Sequence, residues 1–218
     1  MTGVQTCALP ILEMEKGNAY AHFYLAGFLA KNIESSVINE IATDNQVRGQ
    51  LGTILGLITT GTTCANYNVP TDGIKLVPLL RSPYALFGSE GNPLAVNPTE
   101  FVELASLLTR CAKGLGKSDI GLAKRCSHAM IAMGKRILLT LPSSGDLIPD
   151  NRPSERMVEI IANSTVRLAY NDLLKIYQEG GNKQELSVIK RERDAFVFPL
   201  KIKEKKYLAR TLGSGANN

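Results

Sequence analysis

Residues 111–118, with the sequence CAKGLGKS, come closest to a motif with a defined chemistry. A phosphate-binding loop has the pattern G-x-x-x-x-G-K-[ST], in which backbone N–H groups surround phosphates, the lysine contacts the outer phosphates and the hydroxyl binds magnesium. The last three residues fit this pattern, but Cys111 stands where the first glycine belongs. One alternative is therefore a P-loop-like nucleotide-binding protein, with its phosphate site at Gly114, Gly116, Lys117 and Ser118.

The residues on either side favour a turn between two helices. A phosphate loop follows a buried strand, whereas the residues before Gly114 have a helix-start signal at residues 97–100 and apolar side chains at helical spacing. In addition, residues 142–145 separate the next apolar run from Asp146, the nearest acid available to bind magnesium. The helix–helix turn and the phosphate loop remain the two interpretations of this segment.

Other patterns that would carry catalysis are weaker. Cys126 and His128 are two residues apart, which does not place them on one helix face. His22 lies among aromatic residues, where packing is its simplest role. The cysteines form no CxxC pair and have no histidines at metal-ligand spacing. We therefore predict no catalytic residue, no metal and no cofactor, and favour a non-enzymatic protein.

Positive charge is concentrated in two segments. Residues 110–136 contain seven lysines and arginines against one acid, and residues 183–210 contain nine against four, while the whole chain has a formal charge of only +5. This distribution is expected if an anionic partner binds to the protein at both of these basic segments. The predicted nucleic-acid-binding residues are Lys113, Lys117, Lys124, Arg125, His128, Lys135, Arg136, Lys201, Lys203, Lys205 and Lys206.

In the first segment the bases have helical spacing. Steps of four, seven and eleven residues return to nearly the same side of a helix, so Lys124, His128 and Lys135 form one row, with Arg125 and Arg136 beside it. Such a row suits phosphate contact without base reading, through nucleic acid or another polyanion. Lysine-rich helix faces are also common without any ligand, and acids elsewhere in the fold or in another subunit provide alternative partners.

The elements that position these bases are mainly helical. Apolar periodicity predicts helices over residues 18–31, from a cap at Ser36 through Ile58, from a cap at Asn97 to Leu115, from a cap at Ser118 to Pro142, and from about Pro153 to Gly180. The predicted fold is mainly α, a helical bundle built round an αα-hairpin that turns at Gly114 and Gly116. In the second helix, Gly52 and Gly56 predict close approach of another backbone.

A minor β element is predicted at residues 74–80 and/or 196–203. Pro78 confines the first segment to a sheet edge, and Phe196, Phe198, Leu200 and Ile202 alternate with other residues in the second. We divide the chain into residues 1–13, a non-native leader resembling translated sequencing adaptor, a helical domain at 14–182, and a basic arm at 183–218. The arm is predicted to begin with a short exposed helix over residues 183–194 and to end in a disordered tail at 213–218.

Composition limits the class of protein. A chain of 218 residues with 44% hydrophobic content can bury a core. Residues 49–71 lack charge but contain too many polar side chains to cross a membrane. An odd number of cysteines remains after the leader, which favours reduced thiols and a cytoplasmic protein. The remaining alternative to polyanion binding is a scaffold subunit whose second helix and C-terminal arm contact protein partners, the arm adding a strand to a neighbour.

Overall fold

The computed structural model describes residues 17–31, 33, 44–66, 98–141 and 153–214, which form six α-helices and no strand. One isolated parallel bridge joins Asn18 to Asn66. The predicted mainly helical fold is confirmed. The helices are α1 (Ala19–Lys31), α2 (Asn45–Thr63), α3 (Pro98–Leu115), α4 (Ile120–Leu138), α5 (Pro153–Glu179) and α6 (Lys183–Ser214).

The chain divides into two compact units, Met1–Leu107 and Leu108–Asn218, with the boundary inside α3. The domain limits drawn from the sequence stay a prediction. In the first unit, α1 packs against α2. Their crossing is tight at Gly61, where an added Cβ would lie 2.6 Å from a ring carbon of Phe23 and 3.1 Å from Cβ of His22.

Helix α2 differs from its prediction in two ways. It begins at Asn45 because the side chain of Asp44 accepts hydrogen bonds from the N–H groups of Gln46 and Val47, whereas Ser36 lies outside the described residues. Among the described residues, the predicted close approach at Gly52 and Gly56 is wrong, since none of their heavy atoms lies within 4 Å of a Cβ built at either position. The buried side of α2 is formed by its aliphatic residues, Val47, Leu51, Ile54, Leu55 and Ile58.

Helices α3 and α4 form the predicted hairpin. The hydroxyl of Thr109 donates to Sδ of Met130 over 3.4 Å, which places the C-terminal half of α3 beside the middle of α4. The turn differs in detail because Asp119, not Ser118, caps α4 by accepting a hydrogen bond from the N–H of Leu122 at 2.9 Å. A carboxylate at this position satisfies an N–H group that would otherwise have no partner inside the helix.

Helix α5 packs against both α4 and α6. At Gly134 the α4–α5 crossing leaves no room for a side chain, because an added Cβ would lie 2.5 Å from Cγ2 of Val166. Helix α5 ends in a Schellman turn, in which Gly181 adopts a φ of 69° and the N–H of Asn182 donates to the carbonyl of Tyr177. This turn reverses the chain into α6 within three residues.

The predicted edge strand at residues 196–203 is wrong, because α6 is helical throughout Lys183–Ser214. The segment also fits helical spacing, since Ile189, Phe196 and Leu200 lie on the same side of a helix. Ile189 is buried there, and Phe196 and Leu200 are half-buried. Pro199 lies inside this helix, where it removes one backbone hydrogen bond. The helix also includes Gly213 and Ser214, which were predicted to be disordered, and is much longer than the predicted segment 183–194.

Several predictions lie outside the described residues: the leader at 1–13, the strand at 74–80 and the end of the tail. None of the helices in the described ranges combines the length and apolar character needed to cross a bilayer. These ranges contain three cysteines, Cys64, Cys111 and Cys126, and no disulfide joins any two of them.

Candidate functional site

The predicted basic row on α4 lies beside two tyrosines of α5. The Lys124 ammonium stands 4.0 Å from the ring centroid of Tyr177, and that of Lys135 donates a 2.8 Å hydrogen bond to the hydroxyl of Tyr170. These contacts run in opposite directions along the two helices, so α4 and α5 are antiparallel. Both ammonium groups therefore have intramolecular partners, which an external phosphate would have to replace or share.

Helix α6 adds acids to the same row. Glu185 forms an ion pair with Lys124 at 3.4 Å, and Glu192 interacts electrostatically with His128. Helix α6 therefore runs parallel to α4, and both helices pack against α5. Part of the charge of the row is already balanced by α6.

His128 is less cationic than its position in the row suggests. Partial burial lowers its pKa below the ordinary value of 6.5, and the charge of Lys124 acts in the same direction, while Glu192 opposes the change. At pH 7 this imidazole is therefore mainly neutral. It is better suited to donate a hydrogen bond than to supply charge to a phosphate group.

The other bases of the hairpin differ in exposure. Lys113, Lys117 and Arg125 are exposed, and Arg136 is half-buried. Burial raises the pKa of the Asp172 carboxyl, and Lys113 lies near enough for its charge to oppose that rise. The predicted hairpin site thus consists of partnered lysines in the row and solvent-exposed bases around it.

The change from strand to helix rearranges the predicted bases of the C-terminal arm. In a strand, Lys201, Lys203 and Lys205 would share one face; in α6 only Lys201 and Lys205, four residues apart, do so. Both are exposed, while Lys203 is half-buried. The backbone of Lys206 is helical, and its side chain lies outside the described part of the structure.

One exposed side of α6 combines these lysines with an aromatic ring. Phe198 is 68% exposed, and helical spacing places it on the same side as Lys201 and Lys205 and as Lys190 and Arg191 two turns earlier. We call these five residues the α6 outer face. Within the described ranges, none of its bases forms an ion pair; the acid Asp194, which lies on this side, is paired with Arg193 at 2.7 Å.

Residues 111–118 join two helices, which removes the structural context of a phosphate loop. Residues 111–115 are helical, so their N–H groups are engaged within α3 instead of pointing into a phosphate cavity. Lys117 and Ser118 are exposed in the turn that follows.

A buried carboxylate on α5 was missed by the sequence analysis. Asp172 is only 6% exposed, and its Oδ2 has no hydrogen-bond partner in the part of the chain that the structure describes. Burial raises the pKa of this carboxyl above the ordinary 3.8, against the opposing charges of Lys113 and Lys175. The only sequence signal was an acid placed between the apolar positions Ala169 and Leu173.

Replacing Asp172 with asparagine is expected to stabilise the protein at pH 7. Because burial raises the pKa of Asp172 in the folded protein, the ionised carboxylate lowers the free energy of unfolding. The protonated carboxyl carries no such penalty, so stability is highest below pH 3.8 and is lost as pH rises through the folded-state pKa. Urea unfolding of both proteins at pH 7 and near pH 4 should show an advantage for D172N that shrinks at the lower pH. An advantage independent of pH would contradict this explanation.

No three metal-ligating side chains cluster in the described ranges. Comparisons of the chain with protein-family models, with curated proteins and with solved structures found no match. The functional proposal therefore depends on the geometry and charge of this chain alone.

Proposed function

We propose that the protein binds nucleic acid or a similar polyanion without catalysing a reaction, and that the α6 outer face makes the main phosphate contacts. The observation that carries the proposal is the exposure of four bases on one side of a helix around an exposed aromatic ring. Exposed bases without intramolecular partners can attract phosphates without first breaking an ion pair.

The geometry of α6 suits an extended anion. Lys190 and Lys205 are fifteen residues apart, which corresponds to about 22 Å along a helix. That length spans the axial rise of about six base pairs in DNA. Phe198 lies between the two ends of the face, where it can stack on an unpaired base as well as contact a backbone. The exposed hairpin bases Lys117 and Arg125 supply a second basic surface.

The proposal predicts binding that weakens steeply with salt and depends on α6. The change K201E together with K205E should weaken binding of a labelled mixed-sequence duplex at least tenfold at low salt. It should also reduce the slope of log K against log salt by about 2, since two phosphate contacts are lost. Fluorescence anisotropy over a series of salt concentrations measures both quantities.

The matched control is K117E together with R125E, which changes the net charge by the same amount at the hairpin. A larger effect of this control than of the α6 variant would move the main site to the hairpin. Salt-independent binding, or unchanged binding by both variants, would contradict the proposal. F198A should weaken binding of single strands more than of duplexes, because only unpaired bases can stack on the ring.

A scaffold subunit is the second candidate function, and one feature of α5 favours it. Met157, Ile160 and Leu168 follow one side of the helix and are each about half exposed. An apolar stripe of this kind is typical of protein contacts. Sedimentation analysis of the protein with and without I160K and L168K tests this candidate, and a monomer at all concentrations without a protein partner would count against it.

A further inference from the structure

Two buried thiols face each other across the α3–α4 hairpin. Cys111 on α3 and Cys126 on α4 are both fully buried and free. The contact between Thr109 and Met130 shows that the two helices run antiparallel side by side, which brings Cys111 and Cys126 to neighbouring levels of the hairpin. Each thiol is the main influence on the pKa of the other, so the two side chains lie within interaction distance. This pair plays no part in the proposed polyanion surface.

The two sulfur atoms differ in acidity. The hydrogen bond from Cys126 lowers the pKa of the Cys111 thiol, and the charge of Arg110 acts in the same direction, although burial opposes both. The same hydrogen bond, together with burial, raises the pKa of Cys126. Cys111 is therefore the better nucleophile, and Cys126 is the thiol that remains protonated beside it.

We propose that Cys111 and Cys126 are a redox modification site, at which a peroxide converts the thiol pair into a disulfide that links α3 to α4. The Cys111 thiolate attacks one oxygen of hydrogen peroxide, the O–O bond breaks, and the products are a sulfenic acid and hydroxide. The sulfur of Cys126 then displaces the sulfenic oxygen, which leaves as water. The hydroxide takes up a thiol proton, so two thiols and one peroxide give one disulfide and two molecules of water.

Burial of the two sulfur atoms limits which oxidants and thiol reagents can react with them. A disulfide requires a sulfur–sulfur distance of about 2.05 Å, so the two side chains must move together across the hairpin before the bond forms. Peroxide is small, whereas bulky thiol reagents require α3 to separate from α4 before they reach either sulfur. Cys64 is half-exposed and serves as an internal reference, because it should react with such reagents first.

The test uses the full chain with Cys7 and Cys64 replaced by serine, which leaves only the proposed pair. After treatment with hydrogen peroxide, the intact mass should fall by two hydrogen atoms, and proteolysis should yield one peptide pair joined through Cys111 and Cys126. Dithiothreitol should reverse both changes. The link closes a loop of about 15 residues, so the melting temperature should rise by about 6–12 °C.

Two single replacements in the same background separate the roles of the sulfurs. C126S should accumulate a sulfenic acid at Cys111 that dimedone traps when it is added together with urea after the peroxide is removed, whereas C111S should give little adduct under the same conditions. Circular dichroism and melting curves establish that each variant is folded before treatment. Equal trapping in both variants would overturn the assignment of Cys111 as the nucleophile. Peroxide treatment that gives only disulfide-linked dimers, or sulfinic acids without a disulfide, would overturn the proposed site.

Discussion

Replacing Gly134 with leucine is expected to lower the free energy of unfolding by about 3 kcal/mol, the upper part of the range for overpacked cores. The reason is local to the α4–α5 crossing. A Cβ at this position would lie 2.5 Å from Cγ2 of Val166 and 3.1 Å from the carbonyl oxygen of Ala162. The second contact is with backbone and the first is with a β-branched side chain in a helix, so neither can move away easily. Urea unfolding followed by circular dichroism measures the change.

The matched control is Gly56→Leu, another glycine-to-leucine change inside a helix. Gly56 is exposed, and nothing lies within 4 Å of a Cβ built there, so the variant should gain up to about 1 kcal/mol from higher helix propensity. A partial rescue is expected from V166A in the G134L background, because it removes the clashing methyl group. Equal stability of G134L and the unmodified protein would show that α4 and α5 are further apart than described here.

Replacing Tyr170 with alanine is expected to lower the free energy of unfolding by about 4 kcal/mol, as for other large buried rings. Tyr170 is the largest of the fully buried side chains, and it contacts both neighbouring helices of its unit. Its hydroxyl accepts the hydrogen bond from Lys135 on α4, and its ring centroid lies 6.3 Å from that of Phe196 on α6. Truncation would therefore leave a cavity where the three helices meet.

Phenylalanine at position 170 separates packing from hydrogen bonding. Tyr170→Phe keeps the ring, and the ammonium of Lys135 is exposed enough to be hydrated instead, so a loss of only about 1 kcal/mol is expected. Thermal and urea unfolding of both variants distinguishes the two contributions. A loss for Tyr170→Phe as large as for Tyr170→Ala would mean that the polar contact, and not the ring, holds α4 and α6 to α5.

The helical fold could be predicted because the decisive signals are local in sequence. Apolar spacing located the buried sides of α3 and α4, where Leu104, Leu108, Cys126 and Met130 are all buried. The glycines after Glu179 correctly marked the end of α5, because a left-handed turn there requires glycine. The residue that caps α4 could not be chosen from the sequence, since Ser118 and Asp119 are adjacent and both can accept an N–H hydrogen bond.

The strand at residues 196–203 could not be excluded from the sequence. Pro199 argues against a helix interior, and a run of alternating apolar residues suits an edge strand equally well. Only the packing of Phe196 on Tyr170, 26 positions away in the sequence, shows which side of the segment is buried. Tertiary contact here overrides local preference.

The site was harder to predict than the fold because charge placement does not reveal pairing. The sequence analysis placed Lys124, His128 and Lys135 on one side of a helix, but it could not identify Tyr177 or Glu185 as neighbours from other helices. It also could not show that Lys201 and Lys205 share an exposed side. The prediction for the glycines failed for the same reason, because the described helices approach each other closely at Gly61 and Gly134 and not at Gly52 or Gly56.

In the second unit, each pair of packed helices described here includes chain neighbours: α3 with α4, α4 with α5, and α5 with α6. The last of these pairs is joined by only three residues, so little chain entropy is lost when its ends meet. Low contact order of this kind favours rapid folding. During synthesis α6 emerges after its packing partner α5, and the basic outer face is therefore completed after the α4–α5 pair.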